Sequence, residues 1–226
     1  MVKSYTTEAI IINRFNYSEA DKVLTLFTKD HGKLTAIAKG LRKPQSKRKG
    51  HLELFNHIRC QLITSHTWDI LTEVETVHYF TPLTTNPQLE TGNGKLETIS
   101  AAYRFAELID RLLPSHEPHP DIFDLLSKTF LALGPHPYPL LQGEGIPSPY
   151  RRRTQDEVTN QSDSYLNSVD KYFKHRLIRS LGFWPSDRTV PTDIDAFIDS
   201  LLERPLKTTF SLLTIQNKFD FQPDSS

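Results

Sequence analysis

Residues 33–50 hold Lys33, Lys39, Arg42, Lys43, Lys47, Arg48 and Lys49, seven cations in 18 residues without one acid. Such a run repels itself unless an anion comes near, so its chemistry is electrostatic rather than covalent. Each ammonium or guanidinium that meets a phosphate displaces a condensed counterion, which favours a nucleic-acid backbone as that anion. The bland alternative is a solvated charge run with no specific partner. Three aromatics stand nearby in sequence, Phe15, Tyr17 and Phe55, and bases stack on such rings. Phe15 and Phe55 suit a barrel core. Tyr17 lies in a polar stretch and is the ring expected at the surface beside the cations.

Other chemistries find less support. His116 and His119 are three apart, but Pro114, Pro118 and Pro120 turn that stretch into a loop, and the chain has neither HExxH nor CxxC. These groupings, or a carboxylate–histidine pairing at useful spacing, are the sequence signals of a zinc or hydrolytic metal site, and none is present. There is no GxSxG, and Cys60 falls on the apolar side of an alternating segment, as a small hydrophobe would. The Gly-Asn-Gly at 92–94 and Gly-Glu-Gly at 143–145 lack the rest of any phosphate-cradling fingerprint. No catalytic residue, metal ligand or cofactor is nominated, and the protein is expected not to be an enzyme.

The 226-residue chain has no net charge, yet its halves differ. Residues 1–80 carry 12 Lys/Arg against 8 Asp/Glu, and residues 81–226 carry 15 against 19. The longest apolar run, residues 9–12, is far short of the roughly 18 needed to span a membrane. It is also too short for the core of a signal peptide. A single cysteine excludes an internal disulfide framework. A cytoplasmic protein without a membrane partner is expected.

The elements that must carry the cations follow from periodicity. Residues 5–13, 22–28, 34–38, 52–65 and 70–77 alternate or are rich in β-branched types and read as five short strands. His31-Gly32 reads as a tight turn, and residues 40–50 as a loop that bears the basic load. Five strands with frequent turns predict a small closed barrel over residues 1–80. The period then lengthens. Leu96, Ile99, Ala102, Tyr103, Ala106, Ile109 and Leu113 form one stripe of a helix over 95–113. Further helices are expected over 121–133, from about 162 to 181, from 193 to Pro205, and over 206–215. Residues 135–161, with five prolines by position 149 and then Arg151, Arg152 and Arg153, read as a flexible insertion in a helical domain of residues 81–220. A frayed tail is expected at 222–226. The class is therefore α+β.

The order of these segments resembles a known family. Ala-Ile-Ile-Ile-Asn at 9–13, Ser-Glu-Ala-Asp-Lys-Val-Leu-Thr-Leu-Phe-Thr at 18–28, His-Gly-Lys-Leu at 31–34 and Ala-Ile-Ala-Lys-Gly at 36–40 are similar to the N-terminal domain of RecO, a family of bacterial recombination mediators. Leu-Glu-Leu-Phe at 52–55 and Leu-Thr-Glu-Val-Glu at 71–75 fit its next strands. Looser likenesses to its helical part lie at 101–113, 122–126, 177–185 and 202–207.

The resemblance implies an oligonucleotide-binding (OB) barrel followed by a helical domain, with no enzymatic activity. It implies binding of single- and double-stranded DNA and annealing of complementary strands. It also implies work with RecR to load RecA, indirectly, onto DNA coated by single-strand-binding protein (SSB), whose C-terminal tail would meet the helical domain. On this basis the DNA-binding residues are Lys39, Arg42, Lys43, Lys47, Arg48 and Lys49, with Tyr17. Arg104, Arg111 and Arg176 fall on expected helices, and no pocket for the tail is assigned to them. The family's four-cysteine zinc module has no counterpart here, since seven residues separate Pro185 from Asp193 and none is cysteine. Two other readings stay open at this point, a protein–protein scaffold with a structural barrel and an RNA-directed barrel.

Overall fold

The computed structural model describes residues 3–80, 92–134, 158–184, 193–202 and Leu206. Five strands come first, β1 (Ser4–Asn16), β2 (Lys22–Thr28), β3 (Gly32–Ala38), β4 (His57–Ile63) and β5 (Asp69–His78). Four helices follow, α1 (Gly92–Leu112), α2 (Pro120–Ala132), α3 (Val158–Ser180) and α4 (Ile194–Leu201). The strands close into a barrel in the order β1-β2-β3-β5-β4, as in an OB fold. All ladders are antiparallel except the short β3–β5 seam, where Ala36 faces Asp69 and Ile37 faces Ile70. A parallel pair needs a long crossover, and residues 39–68 supply it.

The apolar run at 9–12 has no polar side because β1 is covered on both faces. Ala9 and Ile11 point into the barrel with Leu24, Leu26, Leu34, Ile58, Cys60 and Leu62. Ile10 and Ile12, with Phe27 and Phe55, instead join the core formed by the helices. The period of two therefore divides one strand between two hydrophobic clusters. Cys60 is sealed in the barrel, and burial pushes its thiol up to about 12, so it is no nucleophile at neutral pH.

The helices dock through a loop rather than by packing alone. Lys33 accepts a backbone hydrogen bond from His116 N at 2.9 Å, and its Nζ pairs with Asp110 at 3.1 Å. Gly32, at φ +67°, lies against the Glu117 backbone. Phe105 of α1 stacks on Phe173 of α3 with ring centroids 4.5 Å apart. Asp193 caps α4 by accepting from Ala196 N at 3.0 Å. Lys174 is buried between Asp170 and Asp195, with Arg104 3.5 Å from Asp170. Among the described residues no helix is long and apolar enough to cross a membrane.

Three expectations needed correction. Residues 52–56 are not strand: Leu52 N donates back to Arg48 and Lys49 carbonyls, and Phe55 sits at φ +69° before β4 begins at His57. The Leu52/Leu54 alternation is that of a turn which plugs the barrel end. Leu96 and Tyr103, assigned to the buried stripe of α1, are exposed, while Ala102, Ala106, Ile109 and Leu113 of that stripe are buried in a wider face centred on Phe105. The third helix starts at Val158, inside the expected insertion, because no proline stands between Pro149 and Pro185 to stop it earlier. The remaining insertion with Arg151–Arg153, the spacer at 185–192, most of the helix expected at 206–215 and the tail lie outside the described residues.

The joint between barrel and helices carries a titratable contact. His57 Nε2 faces Glu8 at 3.2 Å, and its Nδ1 meets Ser127 Oγ of α2 at 3.2 Å. Space beside this trio is only about 20 Å³, roughly one water, so the carboxylate–imidazole–hydroxyl line is a joint with no room for a substrate. Burial, with help from His78 and Lys29, holds His57 below its ordinary value against the opposing pull of Glu8. A depressed folded-state value means the unfolded chain takes the proton first as pH falls below about 6.5. Stability should therefore drop on acidification through that point, and His57→Gln should make the fall in melting temperature from pH 7.5 to 5.5 shallower. Parallel melting curves for the two proteins across this range would show that His57 contributes nothing to it.

Candidate nucleic-acid interface

The basic loop leaves β3 at Gly40, where φ is +69° and the amide donates to Asp21 Oδ1 at 2.8 Å. It is no free arm. Leu41 and Leu52 are buried in the barrel core at its two ends, which forces the intervening polar side chains outward. Arg42 is tied by its backbone N to Ala20 O at 2.8 Å and by its guanidinium to the Ser18 carbonyl. A Lys43–Gly40 turn and a Ser46–Lys43 turn follow.

The six cations expected to bind DNA do not share one role. Lys39, Arg42, Lys43, Lys47 and Lys49 are exposed. None of the six pairs with an acidic side chain within 4.0 Å among the described residues. Arg48 is turned inward: Nη1 donates to Leu71 O at 3.1 Å and Thr72 O at 3.4 Å, and Nη2 to Lys39 O at 2.5 Å. Those bonds place its guanidinium as a strap across the β3–β5 seam. Tyr17 stands where it was expected, 56% exposed in the β1–β2 loop. Phe15 is exposed rather than core, and Phe55 is core.

Residues that sequence reasoning missed complete the site. Arg14, Asn16 and Lys22 join Arg42, Lys49, Leu41, Leu52 and Glu53 around a cleft of about 310 Å³. Four cations and one acid line it. Glu53 is already engaged, 2.6 Å from Arg14, whose Nη1 also donates to Leu52 O at 3.2 Å. Lys22 is held below the usual lysine value, first by partial burial and then by Arg14, with Arg42 and Lys49 adding to the effect against Glu53. Cations that destabilise one another inside a polar cleft create a place where an oxyanion is welcome. A signal for Arg14 and Lys22 was present. Strand pairing puts Asn16 opposite Lys22 and Arg14 opposite Leu24, and Lys22 opposite Ala38, so residues at the turn end of this hairpin are neighbours of the loop that follows β3.

The arginines on the helices do not form a comparable cluster. Arg104 faces Asp170, Arg111 pairs with Glu107 at 2.7 Å, and Arg176 lies over the Tyr172 ring.

Comparison with known proteins bears on this arrangement. A family model described as "Recombination protein O N terminal" matches residues 1–80, and one described as "Recombination protein O C terminal" matches residues 93–142. A protein from Heliobacterium modesticaldum named "DNA repair protein RecO" is 35% identical over 125 residues, covering 55% of this chain and 42% of its own. One of the same name from Roseiflexus sp. (strain RS-1) is 37% identical over 129 residues, covering 57% and 42%. Another from Cutibacterium acnes is 31% identical over 133 residues, covering 58% and 50%. The chain thus aligns with half or less of the length of these relatives. With the barrel and the start of the helical part matched in chain order, this protein belongs to the RecO family.

Proposed function

We propose that this chain binds DNA as a non-enzymatic mediator of recombinational repair in the cytoplasm. The barrel engages the phosphate backbone of single- or double-stranded DNA through the cleft and the exposed lysines of the basic loop, and promotes annealing of complementary strands. RecR and the SSB tail are the protein partners this reading brings in, with RecA loaded onto DNA as the indirect outcome. The observation that carries it is the cleft in which Arg14, Lys22, Arg42 and Lys49 meet with only Glu53 among them. Phosphates carry no sequence code, so recognition of this kind is broad. The names of the relatives, DNA repair proteins, support the same role.

The test is fluorescence anisotropy with a mixed-sequence single strand across a salt series. Four to six phosphate contacts should give a slope of log K against log salt of about −3 to −4, at roughly 0.7 per phosphate. Absence of binding at low salt would overturn the reading and leave a barrel that serves protein contacts alone.

A further inference from the structure

Two loops close the cleft end of the barrel, residues 17–21 between β1 and β2 and residues 64–68 between β4 and β5, and they meet at two rings. Tyr17 and Trp68 have centroids 4.8 Å apart and planes at 88°. Neither ring belongs to a buried cluster, and Trp68 is only half-buried. The Tyr17 ring is thus held largely in solvent, with the partly open Trp68 ring beside it, whereas aromatic rings normally gain by burial. Both rings have fixed supports. Tyr17 N donates to Asp21 O at 3.2 Å, and Asp21 in turn receives the Gly40 amide of the basic loop. Trp68 directly precedes Asp69, which sits in the β3–β5 seam opposite Ala36.

Position relates the pair to the cleft. Asn16 lines the cleft, and Tyr17 is the next residue, one Cα step of about 3.8 Å away. Two rings at right angles make a corner with a floor and a wall. A nucleobase is flat and stacks on a ring whatever its identity. In a duplex each base has both faces covered by its neighbours, so only an unpaired base has a face to offer.

The geometry points to the Tyr17–Trp68 corner as the seat of one unpaired nucleobase, on a strand whose phosphates lie in the adjacent basic cleft. This inference rests on the nucleic-acid reading of the cleft. It adds a discrimination that the cations lack: phosphates are common to single strand and duplex, while the corner accepts the single strand alone.

The chain has two tryptophans, and the other, Trp184, packs on Phe197 in the helical part. W184F therefore leaves Trp68 as a lone reporter in the full chain. An oligothymidylate of about 15 nucleotides, near the upper site size of one such barrel, should quench Trp68 emission as it binds. A long blunt duplex at the same phosphate concentration should leave the emission nearly unchanged. Y17A should weaken oligothymidylate binding roughly tenfold or more, with duplex affinity within about twofold and the salt slope unaltered. Unchanged Trp68 emission at saturating oligothymidylate, or an equal loss of single strand and duplex in Y17A, would overturn the stacking proposal while the cleft stands. Failure of both nucleic acids to bind at low salt would remove the cleft reading and this one with it.

Discussion

The triple variant K22E/R42E/K49E is expected to bind single-stranded DNA roughly 500-fold more weakly than the unaltered chain at 50 mM salt. Counterion release at that salt contributes about 1.2 kcal/mol for each phosphate contact on a single strand, so three contacts supply about 3.7 kcal/mol. The slope of log K against log salt should become shallower by about 2. The fold should withstand the change. Lys22 is held below its ordinary value by burial and by Arg14, Arg42 and Lys49, so its charge is already disfavoured in the native state. The direct structural loss is the Arg42 bond to the Ser18 carbonyl, worth on the order of 1 kcal/mol. Anisotropy titrations beside thermal melts separate the two effects. An affinity within a few-fold of the starting protein would place the phosphates elsewhere on the molecule.

A second large effect is expected far from the cleft. Gly32→Ala should lower stability by about 3 kcal/mol or more, a fall of about 6–12 °C in melting temperature for a chain of this size. A Cβ at Gly32 would lie 2.1 Å from Glu117 O, 2.4 Å from its C and 2.6 Å from its N. All three are backbone atoms, so no rotamer change relieves the contact. The left-handed φ of +67° adds about 1–2 kcal/mol for any residue with a side chain. Relief requires the α1–α2 loop to lift from β3, which breaks the His116–Lys33 bond and the Lys33–Asp110 pair. Gly50→Ala is the internal comparison, since a Cβ there meets nothing within 4 Å, and it should melt with the parent. Calorimetric traces of the two variants that coincide would show that the loop is not seated against Gly32 in solution.

Much of the barrel was legible because β3 alternates over one buried face, and a period of two leaves its mark even in seven residues, while β2, buried on both faces, shows as a short apolar run with threonines. Tyr17 was legible for a different reason: a ring among Asn16, Ser18 and Glu19 has no apolar neighbours in sequence to pack with. Residues 52–56 were misread because a turn can present Leu52 and Leu54 at the same spacing as a strand. What separates the two is Asn56, whose amide donates to Gly50 O and His51 O within the turn and accepts from Phe80 N 24 residues on, bonds that spacing does not encode. The stripe caught Ala102, Ala106, Ile109 and Leu113 of α1 but not the width of its buried face, for a tertiary reason: the helix packs on β1 and on α3 together and the stripe was sought for one neighbour. Arg14 and Lys22 escaped notice because charge was counted along the chain, whereas the cleft collects it across a hairpin. Arg48 shows the converse. Composition groups it with the lysines, and only its carbonyl partners distinguish a strap from a surface charge.

That strap bears on the entropy of the chain. The strand order requires β3 to find β5 across the 30 residues from Lys39 to Trp68. Closing a loop of that length costs at most about 3 kcal/mol beyond a constant term if all of it is flexible, and β4 inside it is itself laddered to β5. The seam it earns is short, two register pairs in all. Arg48 lies nine positions from Lys39 and 23 from Leu71, and it bonds to both. One guanidinium thus divides a long excursion into two smaller ones and holds the shortest ladder of the barrel from outside. The segment that presents charge to a ligand and the segment that completes barrel closure are one stretch of chain, so whatever disorders the former reopens the latter.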